Sequence, residues 1–386
     1  MLTVLLGIIY VAFISLGLPD SLLGSGWPVI HQDLGVPLSS AGVITMIVSF
    51  GTVVSALNSD RLTGRFGPGK VTAVSVLMTA VALFGYSISQ SMAVMCLWAI
   101  PYGLGAGAVD AALNNYVAVH YKSRHMSWLH CMWGVGATLS PIIMNACLQH
   151  DLGWRSGYRT VGIIQIVLTV ILFATLPLWK KAGGSAEVEA EERKHTSLLQ
   201  AIRIPGVPLV LLSFLGYCGM ESTVMLWASS YLVQARGVDV VTAAGFGALY
   251  VLGITIGRFL SGFVSDKLGD VKMIRIGCLA VLGGLLLVLI PFASGTPALL
   301  GLILAGVGSA PIYPSIIHAT PQRFGADKSQ SIVGMQMASA YIGSTFMPPL
   351  FGLVSQISMD LFPFFLLCFA ALMFITSEAL NRMTGR

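Results

Sequence analysis

The sequence has very little charge. Of its 386 residues, 21 are Lys or Arg and 16 are Asp or Glu, so charged residues make up 10% of the chain while hydrophobic residues make up 55%. Soluble globular domains carry about 25% charged residues, and this composition therefore excludes an ordinary soluble domain. The apolar runs are about 20 residues long, the length of a membrane-spanning helix, and they lack the alternating pattern of a transmembrane barrel. The sequence predicts an all-α membrane protein.

The sequence also lacks the usual marks of a catalytic or metal centre. Its six cysteines form no CxxC pair and lie in or near the apolar runs, where a thiol is typical of helix packing. It contains no nucleotide-binding loop, no metal-ligand cluster and no Ser–His–Asp arrangement. We therefore expect no enzyme activity, no metal and no bound cofactor. A non-transporting sensor or a membrane enzyme is the alternative that these absences disfavour.

Twelve apolar spans can be drawn along the chain. They cover residues 3–29, 39–59, 70–88, 92–119, 126–148, 156–178, 207–233, 241–264, 271–292, 297–318, 329–356 and 360–380. Lys and Arg concentrate in alternate connections, in the central connection and in the C-terminal tail. By the positive-inside rule, both termini and the central connection lie in the cytoplasm. This asymmetry accounts for the net charge of +5, so we expect no nucleic-acid partner. We expect a multi-pass protein of the bacterial inner membrane.

The two halves of the sequence echo each other weakly. The matched features are Asp20 and Glu221, residues 59–62 and 265–268, residues 105–107 and 306–308, and Pro141 and Pro348, at offsets of 201 to 207 residues. The recurrence predicts two pseudo-symmetric six-helix halves, residues 1–178 and 207–386, joined by a polar cytoplasmic linker over 179–206. In transporters built from repeats, the substrate site lies near the middle of the membrane, where the repeats meet.

The fourth span carries a polar face. Gly103, Gly107, Asp110 and Asn114 follow at spacings of three, four and seven residues, which places them on one side of a helix. Glycines on such a face let another helix approach closely. Because a carboxylate is costly in hydrocarbon, we expect Asp110 to face the bundle interior or a wet cavity.

Three acids lie well inside the predicted spans: Asp20, Asp110 and Glu221. A buried carboxyl can load and unload a proton as its surroundings open to either side of the membrane, so all three are predicted proton-coupling residues. Pro19 precedes Asp20 and should loosen the helix there. Each acid could instead only join two helices by a hydrogen bond, and this alternative stays open.

Polar and aromatic side chains on several spans form the predicted substrate site. Groups that could bind hydroxyls are those of Asn114, His130, Asn145 and Gln336. Aromatic rings that could cover the C–H face of a sugar are those of Trp133, Trp227, Tyr231 and Tyr341. A sugar needs both kinds of partner. Packing between helices is the alternative role for each of these residues.

Two segments resemble the signature loop of the major facilitator superfamily, G-x-x-x-D-R/K-x-G-R/K. They are residues 59–70, after the second span, and residues 262–272, after the eighth. The resemblance implies a cytoplasmic gate, which we assign to Asp60, Arg61, Arg65, Arg258, Asp266 and Lys267. The first segment departs from the pattern because Ala56 stands where the leading glycine belongs. A positive-inside anchor is the alternative for the loops, and binding of an anionic substrate is one for Arg258.

Four stretches resemble the fucose:proton symporter family within that superfamily. Residues 103–116 resemble its fourth-span motif G-L-G-x-x-E-x-x-x-N-P, with Asp110 at the glutamate and Asn114 at the asparagine, although Asn115 replaces the proline. The other stretches are Pro19-Asp20, Gly219-Met-Glu221 with Trp227 and Tyr231, and residues 129–137 with Pro141. The resemblance implies the superfamily fold, a monomer, proton transfer at Asp110 and substrate-coupled protonation at Asp20.

The predicted function is secondary active transport: proton-coupled uptake of a sugar or sugar-like polar molecule by alternating access, with the proton as coupling ion. A proton-driven exporter of drugs or metabolites is the alternative. Such antiporters often carry G-x-x-x-G-P-x-x-G-G in the fifth span. Only Gly136 and Pro141 of that motif are present here, which counts against export.

Overall fold

The chain folds almost entirely into helices. The computed structural model describes residues 2–37, 40–182, 198–238, 240–290 and 296–385, and no strand occurs among them. Residues 183–197 of the predicted linker over 179–206 lie outside the described residues. The boundaries of the linker stay a prediction.

The helices of the first half coincide with the first six predicted spans. They are α1 (Leu2–Asp20), α2 (Leu22–Asp33), α3 (Ala41–Leu57), α4 (Ser59–Phe66), α5 (Pro68–Ile88), α6 (Met92–His120), α7 (Ser123–Gln149), α8 (Gly153–Ala174) and α9 (Leu176–Ala182). Span one is built from two consecutive helices, α1 and α2, and α4 follows span two.

The second half follows the same plan. Its helices are α10 (Leu198–Ile202), α11 (Val207–Arg236), α12 (Val240–Leu268), α13 (Asp270–Leu289), α14 (Thr296–Ser309), α15 (Ile312–Phe324), α16 (Ala326–Ser355) and α17 (Phe362–Met383). Among the described residues, ten helical stretches are long and apolar enough to cross a membrane, or eleven if the bent pair α3–α4 is one span. The predicted all-α membrane fold is confirmed.

Contacts divide the chain into two compact units. One comprises Met1–Tyr116 with Leu129–Ser197, and the other comprises Val117–Trp128 with Leu198–Arg386. The short segment 117–128, between the main parts of α6 and α7, therefore packs with helices of the second half.

Glycines produce the closest helix contacts in the first unit. A Cβ atom on Gly103 or Gly107 of α6 would overlap the backbone carbonyls of Val48 and Thr52 in α3. Small residues at such contacts let two backbones touch and gain van der Waals energy where no hydrophobic effect operates between helices. The role predicted for these two glycines is confirmed.

Two helix breaks coincide with prolines. Helix α1 ends at Asp20, directly after Pro19, as expected. The tenth span breaks at Pro311, between α14 and α15. Pro314 lies in the first turn of α15, where a missing N–H leaves no helical hydrogen bond unmade.

The segment after the second span is a helix rather than a loop. Helix α4 is bent by 55° from α3. It carries Asp60 in its first turn and Arg65 in its last turn, and these two charges complement the helix dipole. Gly67 ends it with φ of 79°, and Gly269 joins α12 to α13 with φ of 77°. Only glycine adopts this backbone conformation without strain.

The glycine contact gives a stability prediction. Gly107→Ala should lower the free energy of unfolding by about 1–3 kcal/mol, because the new methyl group overlaps the Thr52 carbonyl and forces α3 and α6 apart. Thermal or denaturant unfolding of the purified protein measures the change.

Gly7→Ala is the matched control. A Cβ atom on Gly7 of α1 meets nothing within 4 Å, so this substitution should be neutral or gain up to about 1 kcal/mol from helix propensity. Equal effects of the two substitutions would contradict the assigned contact.

Candidate functional site

Asp20 is a solvent-exposed acid held by two aromatic side chains of the first unit. The Tyr102 hydroxyl donates to its Oδ1 atom at 3.0 Å, and the Trp133 indole N–H donates to its Oδ2 atom at 2.9 Å. Asp20 itself is exposed, Trp133 is half-buried and Tyr102 is buried. Both carboxylate oxygens are therefore engaged, while part of the residue stays exposed.

The Asp20 geometry depends on a tight contact between α1 and α7. A Cβ atom on Gly17 would overlap the Trp133 carbonyl, and one on Gly136 would overlap the Ile14 carbonyl. Gly17 lies three residues before Asp20, on the same helical face. The contact thus brings the carboxylate to the Trp133 indole.

Asp110 begins a hydrogen-bonded chain through the interior of the first unit. The Asn114 side-chain N–H₂ donates to Asp110 Oδ1 at 2.8 Å, and His130 Nε2 lies 3.0 Å from Asn114 Oδ1. All three side chains are buried, with at most 6% of each residue exposed. The spacing of four residues on α6 aligns Asp110 with Asn114, and α7 supplies His130. Asp110 faces the bundle interior, as predicted.

Glu221 pairs with a buried arginine in the second unit. Arg258 Nη2 on α12 lies 3.5 Å from Glu221 Oε1 on α11, and the two side chains are 6% and 15% exposed. The same nitrogen lies 3.5 Å from the Tyr217 hydroxyl, and the guanidinium carbon lies 5.9 Å from the Tyr313 ring centre. Removing either charge leaves the other in an apolar interior, which is unfavourable.

Several predicted substrate ligands have structural contacts in the second unit. The Tyr231 hydroxyl, fully buried, donates to the Val288 carbonyl and accepts from Arg236. The fully buried Gln336 donates to Thr320 at 3.0 Å. These two pairs join neighbouring helices and correspond to the packing alternative.

The remaining predicted ligands are more accessible. Trp227 donates its indole N–H to the Pro348 carbonyl at 2.9 Å and is half-buried. Tyr341 is also half-buried, and Asn145 is exposed on α7.

The predicted gate residues of the second unit have different partners. Asp266 accepts a hydrogen bond from the backbone N–H of Arg124, at the start of α7, and lies 3.3 Å from the Arg124 guanidinium. Arg61, Arg65 and Lys267 are exposed and Asp60 is half-buried. Arg258, which we also assigned to the gate, lies about two helical turns before Asp266 and contacts Glu221.

Sequence reasoning missed the partners of the acids. Tyr102 lies in an apolar run without any local pattern that marks it, yet its hydroxyl donates to Asp20. Tyr217 lies four residues before Glu221, on the same helical face, but its contact with Arg258 was not predicted. Asp270 was missed as well, although it stands where the signature loop has Arg or Lys. Its acidic character at a basic position was the available signal. Within the described residues, no group of His, Cys, Asp and Glu is arranged to hold a metal.

Comparison with known proteins defines the class. A family model of the Major Facilitator Superfamily matches residues 9–348 and, again, 247–380. A solved structure of the Escherichia coli fucose:proton symporter FucP, carrying one substitution, superposes with a TM-score of 0.74 at 16% identity, over 98% of each chain. The chain belongs to the major facilitator superfamily and is a multi-pass membrane protein with that fold.

Curated relatives have varied functions. The membrane sensor protein UhpC of Escherichia coli is 29% identical over 68% of this chain and 64% of its own length. The probable sulfoacetate transporter SauU of Cupriavidus necator is 23% identical over 72% of this chain and 69% of its own length. The first matches cover only 56 to 69% of those relatives' lengths. They leave the substrate open.

The Glu221–Arg258 pair gives a prediction. Arg258→Met should lower the free energy of unfolding by about 3 kcal/mol or more, because it leaves the Glu221 charge buried without its partner. The double variant Glu221→Gln/Arg258→Met should recover most of that loss. Unfolding of the four members of this cycle measures the coupling.

The partly exposed pair of Arg155 and Asp33 is the control. Arg155 Nη1 lies 2.6 Å from Asp33 Oδ2, with 34% and 43% of the two side chains exposed. Arg155→Met should cost at most about 1 kcal/mol. If Arg258→Met costs no more free energy of unfolding than Arg155→Met, Glu221 and Arg258 do not form the buried ion pair assigned to them.

Proposed function

We propose that this chain is a secondary active transporter that couples uptake of a sugar or sugar-like polar molecule to protons. It operates by alternating access in a bacterial inner membrane, with both termini in the cytoplasm. The observation that carries the proposal is Asp20, an exposed carboxylate between the Tyr102 hydroxyl and the Trp133 indole.

This arrangement suits a polyhydroxylated substrate. A carboxylate accepts strongly from hydroxyl donors, and sugar hydroxyls can replace the Tyr102 and Trp133 donors at its two oxygens. The flat face of Trp133 matches the C–H face of a pyranose. The resemblance of Pro19-Asp20 to the fucose:proton symporter family supports the same assignment.

Asp110 is the proposed proton-transfer group. It is buried beside Asn114 and linked through it to His130. A carboxyl group in such an interior is more stable when it carries a proton, and it releases that proton when water reaches it. Substrate binding at Asp20 and proton occupancy at Asp110 can therefore depend on the same helices, α6 and α7, which carry residues of both groups.

Transport of an organic anion is the second candidate. Its support is Arg258, whose guanidinium lies 3.5 Å from Glu221, longer than the roughly 2.8 Å of a tight charged pair. A carboxylate or sulfonate can bind Arg258 in the bidentate manner that the planar guanidinium favours, once Glu221 takes up a proton. The similarity to a probable sulfoacetate transporter supports this class.

Ligand-induced thermal stabilisation of the purified protein separates the candidates. The panel contains mono- and disaccharides, polyols and small carboxylates and sulfonates, at about pH 5.5 and about pH 7.5. A sugar should stabilise the wild type, and Asp20→Asn should weaken its binding by about tenfold or more, because a hydrogen bond to a charged group contributes about 1.5–3 kcal/mol.

Asp33→Asn is the matched control, since Asp33 pairs with Arg155 instead, and it should bind the same sugar unchanged. Stabilisation by carboxylates or sulfonates that is lost in Arg258→Gln but kept in Asp20→Asn would favour an organic anion over a sugar as the substrate and would contradict the sugar proposal. Stabilisation by bulky apolar cations alone would favour the exporter and contradict the proposal.

A further inference from the structure

A hydrogen-bonded cluster in the second unit joins the segment 117–128, between the main parts of α6 and α7, to α13 and α15. His318 Nδ1 lies 2.7 Å from Asp270 Oδ2, and the Ser123 hydroxyl donates to Asp270 Oδ1 at 2.6 Å. His318 Nε2 lies 3.0 Å from the Tyr121 carbonyl oxygen. His318, Asp270 and Ser123 are each at most 9% exposed.

The partners of His318 fix its proton count. A backbone carbonyl and an ionised carboxylate only accept hydrogen bonds, while a neutral imidazole has a single N–H. Since both ring nitrogens face acceptors, an imidazolium satisfies both contacts. A neutral His318 with its proton on Nε2, beside an Asp270 whose own proton points to Nδ1, satisfies the same contacts with the same number of protons on the pair. The docked cluster therefore holds one proton more than a neutral histidine beside an ionised aspartate.

Other charged groups surround the cluster. Asp266 also acts electrostatically on His318 and lies 3.3 Å from Arg124. His125, on the segment itself, interacts electrostatically with Arg124, Asp266 and Lys122. The acids are thus divided: Asp266 contacts Arg124, and Asp270 contacts His318.

The same contacts hold the segment in place. Its anchors are Tyr121 to His318, Ser123 to Asp270, Arg124 to Asp266 and the Trp128 indole N–H to the Phe259 carbonyl. The segment continues α6, which carries Asp110, and begins α7, which carries His130. The segment is therefore covalently continuous with both helices that carry the proposed proton-transfer group.

We propose that the His318–Asp270 pair is a proton-binding latch: residues 121–124 dock on α13 and α15 only while the pair holds the additional proton. Docking is then favoured at low pH. Above the titration midpoint of the pair, the ratio of docked to released protein falls about tenfold per pH unit, as for any single-proton linkage. The latch goes beyond the proposed sugar transport and does not depend on the substrate.

Distance measurements between two spin labels test the latch in the full chain. The labels replace the exposed Lys122, on the segment, and the exposed Lys272, on α13, in a variant without the six native cysteines. The docked distance should dominate at about pH 5.5 and be lost progressively toward about pH 9. A distance distribution that does not change over this range would overturn the proposal.

Three variants distinguish a proton-linked role from a purely structural one. His318→Gln should weaken docking and abolish its pH dependence. Asp270→Asn should keep the segment docked at every pH, because its amide N–H donates to Nδ1 of a neutral His318 whose Nε2–H still reaches Tyr121. His125→Gln, the neighbouring histidine, should leave the pH dependence unchanged. Persistence of the pH dependence in His318→Gln, or its loss in His125→Gln, would refute the latch.

Nitrogen NMR of histidine-labelled protein with its native cysteines provides the second measurement. The His318 ring signals, identified by their absence in His318→Gln, should titrate with the same midpoint as docking. Ring signals that stay constant while docking changes would overturn the proposal even if the cysteine-free protein behaves as expected.

Discussion

The structure depends on one constraint: a charged group inside an apolar helix bundle needs a partner. An unpaired charge there is costly enough to unfold a marginally stable protein. The chain meets the constraint in three ways. Neutral donors hold Asp20, a carboxamide and an imidazole extend from Asp110, and a guanidinium lies beside Glu221. The Glu221 contact is an ion pair, whereas the described contacts of Asp20 and Asp110 are hydrogen bonds from side chains without a formal charge.

Close helix packing makes these pairings possible. In a membrane, helices attract each other through contact between small residues. Gly17 and Gly136 bring α1 against α7, which places the Trp133 indole at Asp20, and Gly107 brings α6 against α3. Packing and polar chemistry are therefore linked along the same faces, and a larger residue at these glycines disturbs the acids as well as the fold.

The sequence predicted what local patterns encode. Hydropathy marked the spans, and helical periodicity placed Asp110 and Asn114 on one face with two glycines. Contacts between distant helices leave no local signal, so the Tyr102 partner of Asp20 and the Arg258 partner of Glu221 were not predicted. Tyr231 was predicted at a substrate site for its aromatic ring and Gln336 for its amide. Both hydrogen-bond to another helix, and their place in a substrate site stays a prediction. Residues 59–70, which include α4, were expected to form a loop because their glycines and charges resemble the signature loop of the superfamily.

Proton movement during transport tests the central claim most directly. The compound that stabilises the protein is added outside proteoliposomes loaded with a pH indicator, with no imposed gradient. Proton-coupled uptake predicts acidification of the interior as substrate enters, and Asp110→Asn should lose this acidification while it still binds the substrate. Alkalinisation of the interior, or substrate entry with no proton movement, would contradict proton-coupled uptake. Binding without any entry would instead indicate a sensor.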